Sequence, residues 1–505
     1  MSDSGRLSVV LCWHMHQPQY RDLIAGRYAL PWTYLHAIKD YVDMAAHLEN
    51  EPDARAVVNF APILLEQIDD YAKQVEGFLT NSEAIRDGLL AALAQPVLPS
   101  SHEGRLLLIK SCLRASEERL IKRFEPYRRL AELAHWVLAH PDALPYVADQ
   151  FITDLLVWYH LAWLGETVRR TDARAQRLLE KSAYFSLHDR RELLTLIGEL
   201  LKNVLARYAR LAQSGRVELS FTPYAHPIVP LLLDFASARE AMPNVSLPPE
   251  THYPGGAARA RWHVDEGRRV FEKHFGIKPK GCWPSEGAVS SAALTLLGEA
   301  GFAWVATGES VLAHSRSRES HENDVSKSAW LYSPYRLDSN SIVTFFRDDG
   351  LSDLIGFTYA TWHADDAVAN LVHHLEKIAD ETKAQDGAVV SIVLDGENAW
   401  EHYPDNAFYF LSALYRKLAH HPRLSLTTFS EHLSRHSPKP LSKLVAGSWV
   451  YGTFSTWIGD PDKNRGWEML IDAKRAFDEA YPQLSPERQR QAERQLAICE
   501  GSDWL

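Results

Sequence analysis

Short apolar runs rich in Val, Leu and Ile recur along the chain, and most of them end in a polar, acidic or imidazole-bearing loop. Residues 7–13 (LSVVLCW) run into His14-Met15-His16-Gln17-Pro18, and residues 56–60 (AVVNF) stop just before Pro62. Residues 217–221 (VELSF) lead to Thr222-Pro223-Tyr224-Ala225-His226-Pro227, and Gly281-Cys282-Trp283 closes on Pro284-Ser285-Glu286-Gly287. The runs at 302–306, 342–346 and 389–394 have the same form. Runs this short that lack polar alternation read as strands covered on both faces, the pattern of parallel sheets.

Between the strands the period changes. From about residue 63 to 212, Leu, Ala and Ile recur at three- and four-residue spacing among Glu, Arg and Lys, which predicts a long helical insertion. Shorter helices are expected at 257–275, 290–300, 366–380 and 407–420. Strands alternating with helices predict an α/β fold with a parallel sheet. The chemistry-bearing residues gather at the C-terminal ends of the strands, which is the active-site face of a parallel barrel. A barrel is therefore favoured over an open sheet. The segment Ser437-Pro438-Lys439-Pro440 suggests a boundary between residues 1–436 and 437–505. Beyond it, an aromatic, Gly-dotted stretch with Trp449, Trp457 and Trp467 is expected to fold back over the barrel mouth.

Composition narrows the function classes. A net charge of −11 with no basic tract argues against nucleic acid or an anionic membrane as the main partner. The four Cys stand far apart, fitting neither a disulfide framework nor a zinc ribbon. Residues 1–6 run straight into a strand and no apolar run has membrane-spanning length, so a cytoplasmic protein is expected. No phosphate-cradling Gly motif follows a strand, which weakens a nucleotide-binding reading.

Two acidic strand ends invite a sharper reading. Glu286 lies three residues after Trp283, and Arg347-Asp348-Asp349-Gly350-Leu351-Ser352-Asp353 follows another strand. Cleaving a glycosidic bond needs one carboxyl as proton donor and a second as nucleophile or base. Glu286 suits the nucleophile, although a structural Glu paired with an Arg would carry the same sequence. Asp348, nearest the strand end, is the first candidate for the acid, Asp349 the second, and Asp353 a residue that orients a helix or a sugar hydroxyl. His14 and His16 face the same side of their strand. They can be a metal pair completed by His226 and Asp395, a hydroxyl-binding pair, or a structural one. Asp395-Gly396-Glu397-Asn398-Ala399-Trp400 reads as a substrate-contact loop, with Tyr224 and His226 lining the same face. Trp449 and Trp457 are candidate sugar platforms, although Trp more often fills a core.

Five segments in order carry a resemblance: His14-Met15-His16-Gln17-Pro18, residues 215–227, 281–286, 346–357 and 394–400. Together they resemble glycoside hydrolase family 57, the α-glucan-active family of amylases, amylopullulanases, 4-α-glucanotransferases and branching enzymes. The resemblance implies an incomplete (β/α)7 barrel with helical insertions, a helical C-terminal region and a retaining mechanism without metal or other cofactor. It implies Glu286 as nucleophile and an Asp of the fourth segment as acid/base. That segment, RDDGLSDLIGF, is similar to the amylopullulanase branch, and its spacing leaves Asp348 and Asp349 both open. The resemblance further implies substrate contacts from His14, His16, Gln17, Trp283 and Glu397. The reading is a retaining hydrolase or transglycosylase on α-1,4 glucans, with α-1,6 linkages left open. A metal-dependent amidohydrolase built on His14, His16, His226 and Asp395 is one rival. A glucan-binding protein without turnover is the other.

Overall fold

Among the described residues, ten strands make one sheet: β1 (Leu7–Met15), β2 (Ala56–Phe60), β3 (Val217–Phe221), β4 (Gly281–Cys282), β5 (Trp304–Thr307), β6 (Tyr335–Leu337), β7 (Val343–Phe346), β8 (Val389–Asp395), β9 (Leu424–Leu426) and β10 (Lys439–Leu441). The structure, a computed structural model, describes residues 5–317 and 326–504. The strands β8, β1, β2, β3, β4, β5 and β7 pair in parallel in that order. A single bridge, Arg347 to Ser391, joins β7 back to β8. The result is an incomplete (β/α)7 barrel whose last seam is closed by that bridge, by Arg347 Nε donating to the Val393 carbonyl at 2.8 Å and by the Val393 N–H donating to Ser352 Oγ at 3.3 Å.

Strand alternation divides the core in two. Val10 and Cys12 of β1, Val57 of β2, Val343 and Phe345 of β7, and Val389 and Val393 of β8 pack with Trp283 and Trp304 in one inner cluster. Their sequence neighbours Val9, Leu11, Val58, Phe346, Val390 and Ile392 belong to the larger cluster that meets the helices. Continuing the inner parity toward the strand ends gives His14 on β1 and His16 just after it, Asn59 on β2, Arg347 after β7, and Asp395 on β8. Asp348 falls on the opposite, outer side.

The helical insertion is present, opening with a helix at Pro62–Asn81 and closing with one at Leu187–Gln213. The Ser186 capping box fixes the start of the latter: its hydroxyl accepts from the Asp189 backbone N–H while Asp189 accepts in return. Three short strands were not expected. β6 runs antiparallel to β7, β10 pairs with β6, and β9 pairs with the start of β1. Residues 439–441, expected within a boundary segment, are thus a strand of the sheet. No helix among the described residues is long and apolar enough to cross a membrane.

Candidate active site

A cavity of about 800 Å³ opens at the C-terminal ends of the strands, within the size range of ligand sites. Its barrel-side wall carries His14, His16, Gln17, Glu286, Asp395 and Glu397. Its opposite wall comes from the helices, with Trp32, His36 and Trp163. Trp32 and Trp163 lie 5.8 Å apart between ring centroids, and the edge of Trp163 meets His36 at 5.6 Å. An aromatic wall facing a row of carboxylates matches the two surfaces of a pyranose: apolar faces and hydroxyl edges.

Glu286 sits on a tight turn after β4. It adopts a left-handed backbone with φ 55°, and Gly287 follows with φ 58°. For a non-glycine residue that conformation costs about 1 kcal/mol or more. Gly287 has little choice, since a Cβ there would lie 2.9 Å from the Trp283 ring. The turn directs the Glu286 carboxylate at the cavity, where its side chain keeps 27% exposure. Trp449 Nε1–H donates to Glu286 Oε2 at 2.9 Å, and the Trp449 backbone N–H bonds the Glu286 carbonyl at 3.2 Å. Burial pushes the Glu286 carboxyl up to about 7; the Trp449 bond and His16 oppose the rise, while Asp395 and Asp503 add to it.

The second acidic turn is held differently. Asp348 is 2% exposed. Its oxygens accept from Tyr332 OH at 2.8 Å, Lys327 Nζ at 3.2 Å and the Leu351 backbone N–H at 2.9 Å. The last of these makes it the N-cap of the Asp349–Asp353 helix. The carboxylate nearest the strand end therefore serves the fold's outer layer. The Asp349 side chain is 26% exposed outside the residues that line the cavity, and Arg347 Nη1 donates to it at 2.7 Å. Burial raises the Asp349 carboxyl above its ordinary range, with Arg347 working against the rise. Arg347 also donates to Asp353 at 2.8 Å and lies 5.2 Å from the Trp449 ring centroid. Arg347 and Trp449 thus link Asp349, after β7, to Glu286, after β4, past the end of β5 between them.

The histidines form a stack rather than a fan. His14 and His226 approach Nε2 to Nε2 at 3.2 Å, and the rings of His16 and His226 lie 3.9 Å apart at 13°. One direction of donation satisfies both buried rings. Ser502 Oγ–H donates to His226 Nδ1 at 2.7 Å, His226 Nε2–H to His14 Nε2, and His14 Nδ1–H to Asn59 Oδ1 at 2.7 Å. Both rings are then neutral, and burial with neighbouring imidazoles pushes His14 down to about 3 and His226 well below its ordinary value. His16, His226 and Asp503 do bring nitrogen and carboxylate atoms within 4.8 Å of one another. A cation there would have to displace the bonds that occupy both His226 nitrogens, and near-parallel rings aim their lone pairs side by side. The donor set fits a proton network better than a metal.

The remaining candidates divide. Glu397 is buried on the cavity wall, its Oε1 accepting from the His16 N–H at 3.2 Å, Gln17 Nε2 at 3.1 Å and Tyr41 OH at 3.1 Å. Burial, then Asp395, raises its carboxyl well above the ordinary range. Trp283 is fully buried beneath Glu286, edge-on to Trp449 at 5.1 Å. Trp400 packs behind β1 against Trp13 at 5.6 Å, and Trp457 lies in a separate cluster with Trp467 and Phe235. Tyr224 donates to Glu66 at 2.7 Å beside Trp262. None of these last three lines the cavity. The sequence reading missed Trp32, His36 and Trp163, which reach the site from the helical side, and Asp503. Asp503 lies in a short helical turn, Ser502–Trp504, and ends no strand, so the strand-end signal that marked the other acids does not reach it.

A strained Glu thus stands on a cavity lined by imidazoles, carboxylates and indoles at the C-terminal mouth of a parallel barrel. Residues 10–445 match the family model of glycosyl hydrolase family 57, and the chain belongs to that family. It is accordingly an enzyme, a glycoside hydrolase or transglycosylase. The fold is similar to that of a branching enzyme from Thermococcus kodakaraensis crystallised with glucose, with TM-score 0.58, 16% identity, and 99% of this chain and 85% of that one covered. An α-amylase from Thermotoga maritima is similar at TM-score 0.57 and 13% identity, covering 99% and 88% of the two chains. A 4-α-glucanotransferase from Thermococcus litoralis gives TM-score 0.50 and 14% identity over 98% of this chain and 55% of that one. No curated protein matches the chain.

Proposed function

We propose that this enzyme cleaves α-1,4-glucosidic bonds with retention, in the manner of an α-amylase, with Glu286 as nucleophile and Asp349 as acid/base. The observation that carries the reading is the Glu286 turn: a left-handed residue whose carboxylate meets the cavity and is held by one neutral indole N–H. In the first step a Glu286 oxygen bonds the anomeric carbon, the glycosidic C–O bond breaks, and the departing oxygen takes the proton of Asp349. In the second, water gives its proton to Asp349 and its oxygen to the anomeric carbon, and the Glu286 carboxylate departs. A glucan hydroxyl in place of water would make the same enzyme a transferase, and a 6-hydroxyl would make it a branching enzyme. The α-glucan class is supported by the family and by the activities named for the similar folds. Asp349 is preferred to Asp348 because its carboxylate is part-exposed and its partner Arg347 lies against the Trp449 that holds Glu286, whereas Asp348 is enclosed by three donors.

A second reading for the acid rests on one observation. Asp395 shares the cavity wall with Glu286 and raises its proton affinity. Burial raises the Asp395 carboxyl too, against the pull of Asn398, His16 and Arg347. Product analysis on maltooligosaccharides, pullulan and glycogen tests the activity: shorter sugars mean hydrolysis, longer ones transfer, and new α-1,6 linkages branching. No change in any of the three substrates would remove the proposed function.

A further inference from the structure

Residues 500–504 lie far in sequence from every barrel strand, yet they bring Asp503 into the cavity lining. Three anchors fix them. Glu500 is wholly enclosed and accepts from Arg259 Nη2, Tyr253 OH and His263 Nε2, each at 2.8 Å. Against the upward push of burial, His263 and Arg259 hold its carboxyl down at about 2. Gly501 forms an antiparallel bridge with Pro227. Any side chain at residue 501 would put its Cβ 2.6 Å from the Ala225 carbonyl oxygen, so the close approach demands glycine. Ser502 then bonds His226 twice, its N–H donating to the His226 carbonyl at 2.9 Å and its hydroxyl to Nδ1 at 2.7 Å.

This anchoring delivers Asp503 to the cavity wall, where its Oδ1 meets His16 Nε2 at 3.0 Å. Whereas the Glu286 carboxylate stands 4.0 Å from His226 Nδ1, His16 has a carboxylate at hydrogen-bonding distance from its ring. Its flat face is pressed on His226 at 3.9 Å, so its remaining freedom is rotation within that plane, and the Asp503 contact removes it.

We infer that residues 500–504 form a fixed wall of the catalytic cavity and that Asp503 is a positioning residue, acting through His16 on the glucosyl unit seated against Glu286. The inference rests on the proposed glucan chemistry for its substrate, and on geometry alone for the contact. A carboxylate on Nε2 sets which ring nitrogen carries a proton and keeps the charged form, as second-sphere carboxylates do for other imidazoles. Burial opposes a charge on His16, but Asp503, then Glu286 and Asp395, outweigh it and raise His16 above its ordinary value. The groups facing His16 are His14 on the same strand, His226 after β3, Glu286 after β4, Asp395 on β8 and Asp503.

The test uses the full chain and the variants Asp503→Ala and Asp503→Asn. Imidazole NMR of His16, which needs no substrate, should show its titration falling by about one pH unit or more in the Ala variant. On maltooligosaccharides the same variant should raise KM about tenfold while kcat changes less than about threefold, the split expected when binding rather than chemistry is lost. The Asn variant, which keeps an acceptor oxygen, should recover part of the KM. Melting should stay within ~2 °C of wild type, since Asp503 makes one side-chain contact. Ser502→Ala, loosening the wall, should reproduce the KM rise at smaller amplitude. An unmoved His16 titration, or a KM within twofold of wild type in an active enzyme, overturns the inference. If the wild type turns over no glucan, the proposed function fails and the NMR result alone decides the contact.

Discussion

The turns after β4 and β7 both present carboxylates at the barrel mouth, and they are built on opposite principles. The Asp348–Asp353 turn is saturated with cations and donors: Arg347 grips two carboxylates, and Lys327, Tyr332 and a helix N-terminus enclose the third. Glu286 has no cation in hydrogen-bonding contact among the described residues, only the Trp449 N–H. It also occupies a strained backbone position and carries a carboxyl that binds protons up to about pH 7. A group that the fold leaves poorly stabilised stays reactive. One tied into a network holds geometry instead, and Asp349 stands between the two extremes.

The largest effect expected from breaking this contrast is at Glu286 itself. Glu286→Gln should lower kcat by about three orders of magnitude or more, roughly 4 kcal/mol of barrier, while maltooligosaccharide binding by calorimetry stays near wild type. Retention of more than about a tenth of the activity, ~1.4 kcal/mol, would take Glu286 out of the nucleophile's role. Next come the aspartates, compared on a natural glucan and on a glucosyl donor with an activated leaving group. Asp349→Asn should lose about a hundredfold or more on the glucan, the usual weight of general acid catalysis, and much less on the activated donor, which departs without a proton. Asp348→Asn should lose less on both and should cost stability through its cap, about 1 kcal/mol. If Asp395→Asn alone shows the rescue pattern, the proton donor is Asp395.

How much of this contrast could be read from residues alone depends on distance along the chain. The strands carrying His14, His226, Glu286 and Asp395 announce themselves because an apolar run ends abruptly in polar residues. The choice between Asp348 and Asp349 is not legible there. A strand covered on both faces shows no alternation, so nothing in Val343–Phe346 says which side is inward. Trp400, Trp457 and Tyr224 were expected at the substrate because aromatic residues near acids look like platforms, yet their rings fill the spaces behind the strands. Asp503 meets His16 across 487 residues of sequence, and no local pattern encodes that pairing. The three-residue strands β6, β9 and β10 are too short for any period to register.

Smaller effects sharpen the comparison through pH. Glu286 must be ionised to attack, so kcat/KM should fall about tenfold per unit as pH drops below about 7, where its proton returns. Trp449→Phe removes the one N–H that favours the anion. The acid limb should therefore move upward by about one pH unit, the size expected for a hydrogen bond to a charged group. A limb that stays still would mean the indole contact contributes little in solution.

The smallest effect is on stability, and its sign separates strain from charge. The folded chain holds the Glu286 proton up to about 7, above the ordinary carboxyl value of 4.5, so it binds more protons than the unfolded chain between those two pH values. Stability then declines as pH rises through that window and stays reduced above it, the reverse of a salt-bridged carboxylate. Glu286→Gln keeps the left-handed backbone and removes only the charge. Thermal melting of the variant should match wild type near pH 5 and exceed it by a few degrees near pH 8. Equal gains at both pH values would assign the cost to packing around the side chain. No gain at either would mean that water in the cavity solvates the carboxylate fully, and that the contrast between the two turns lies in their donors alone.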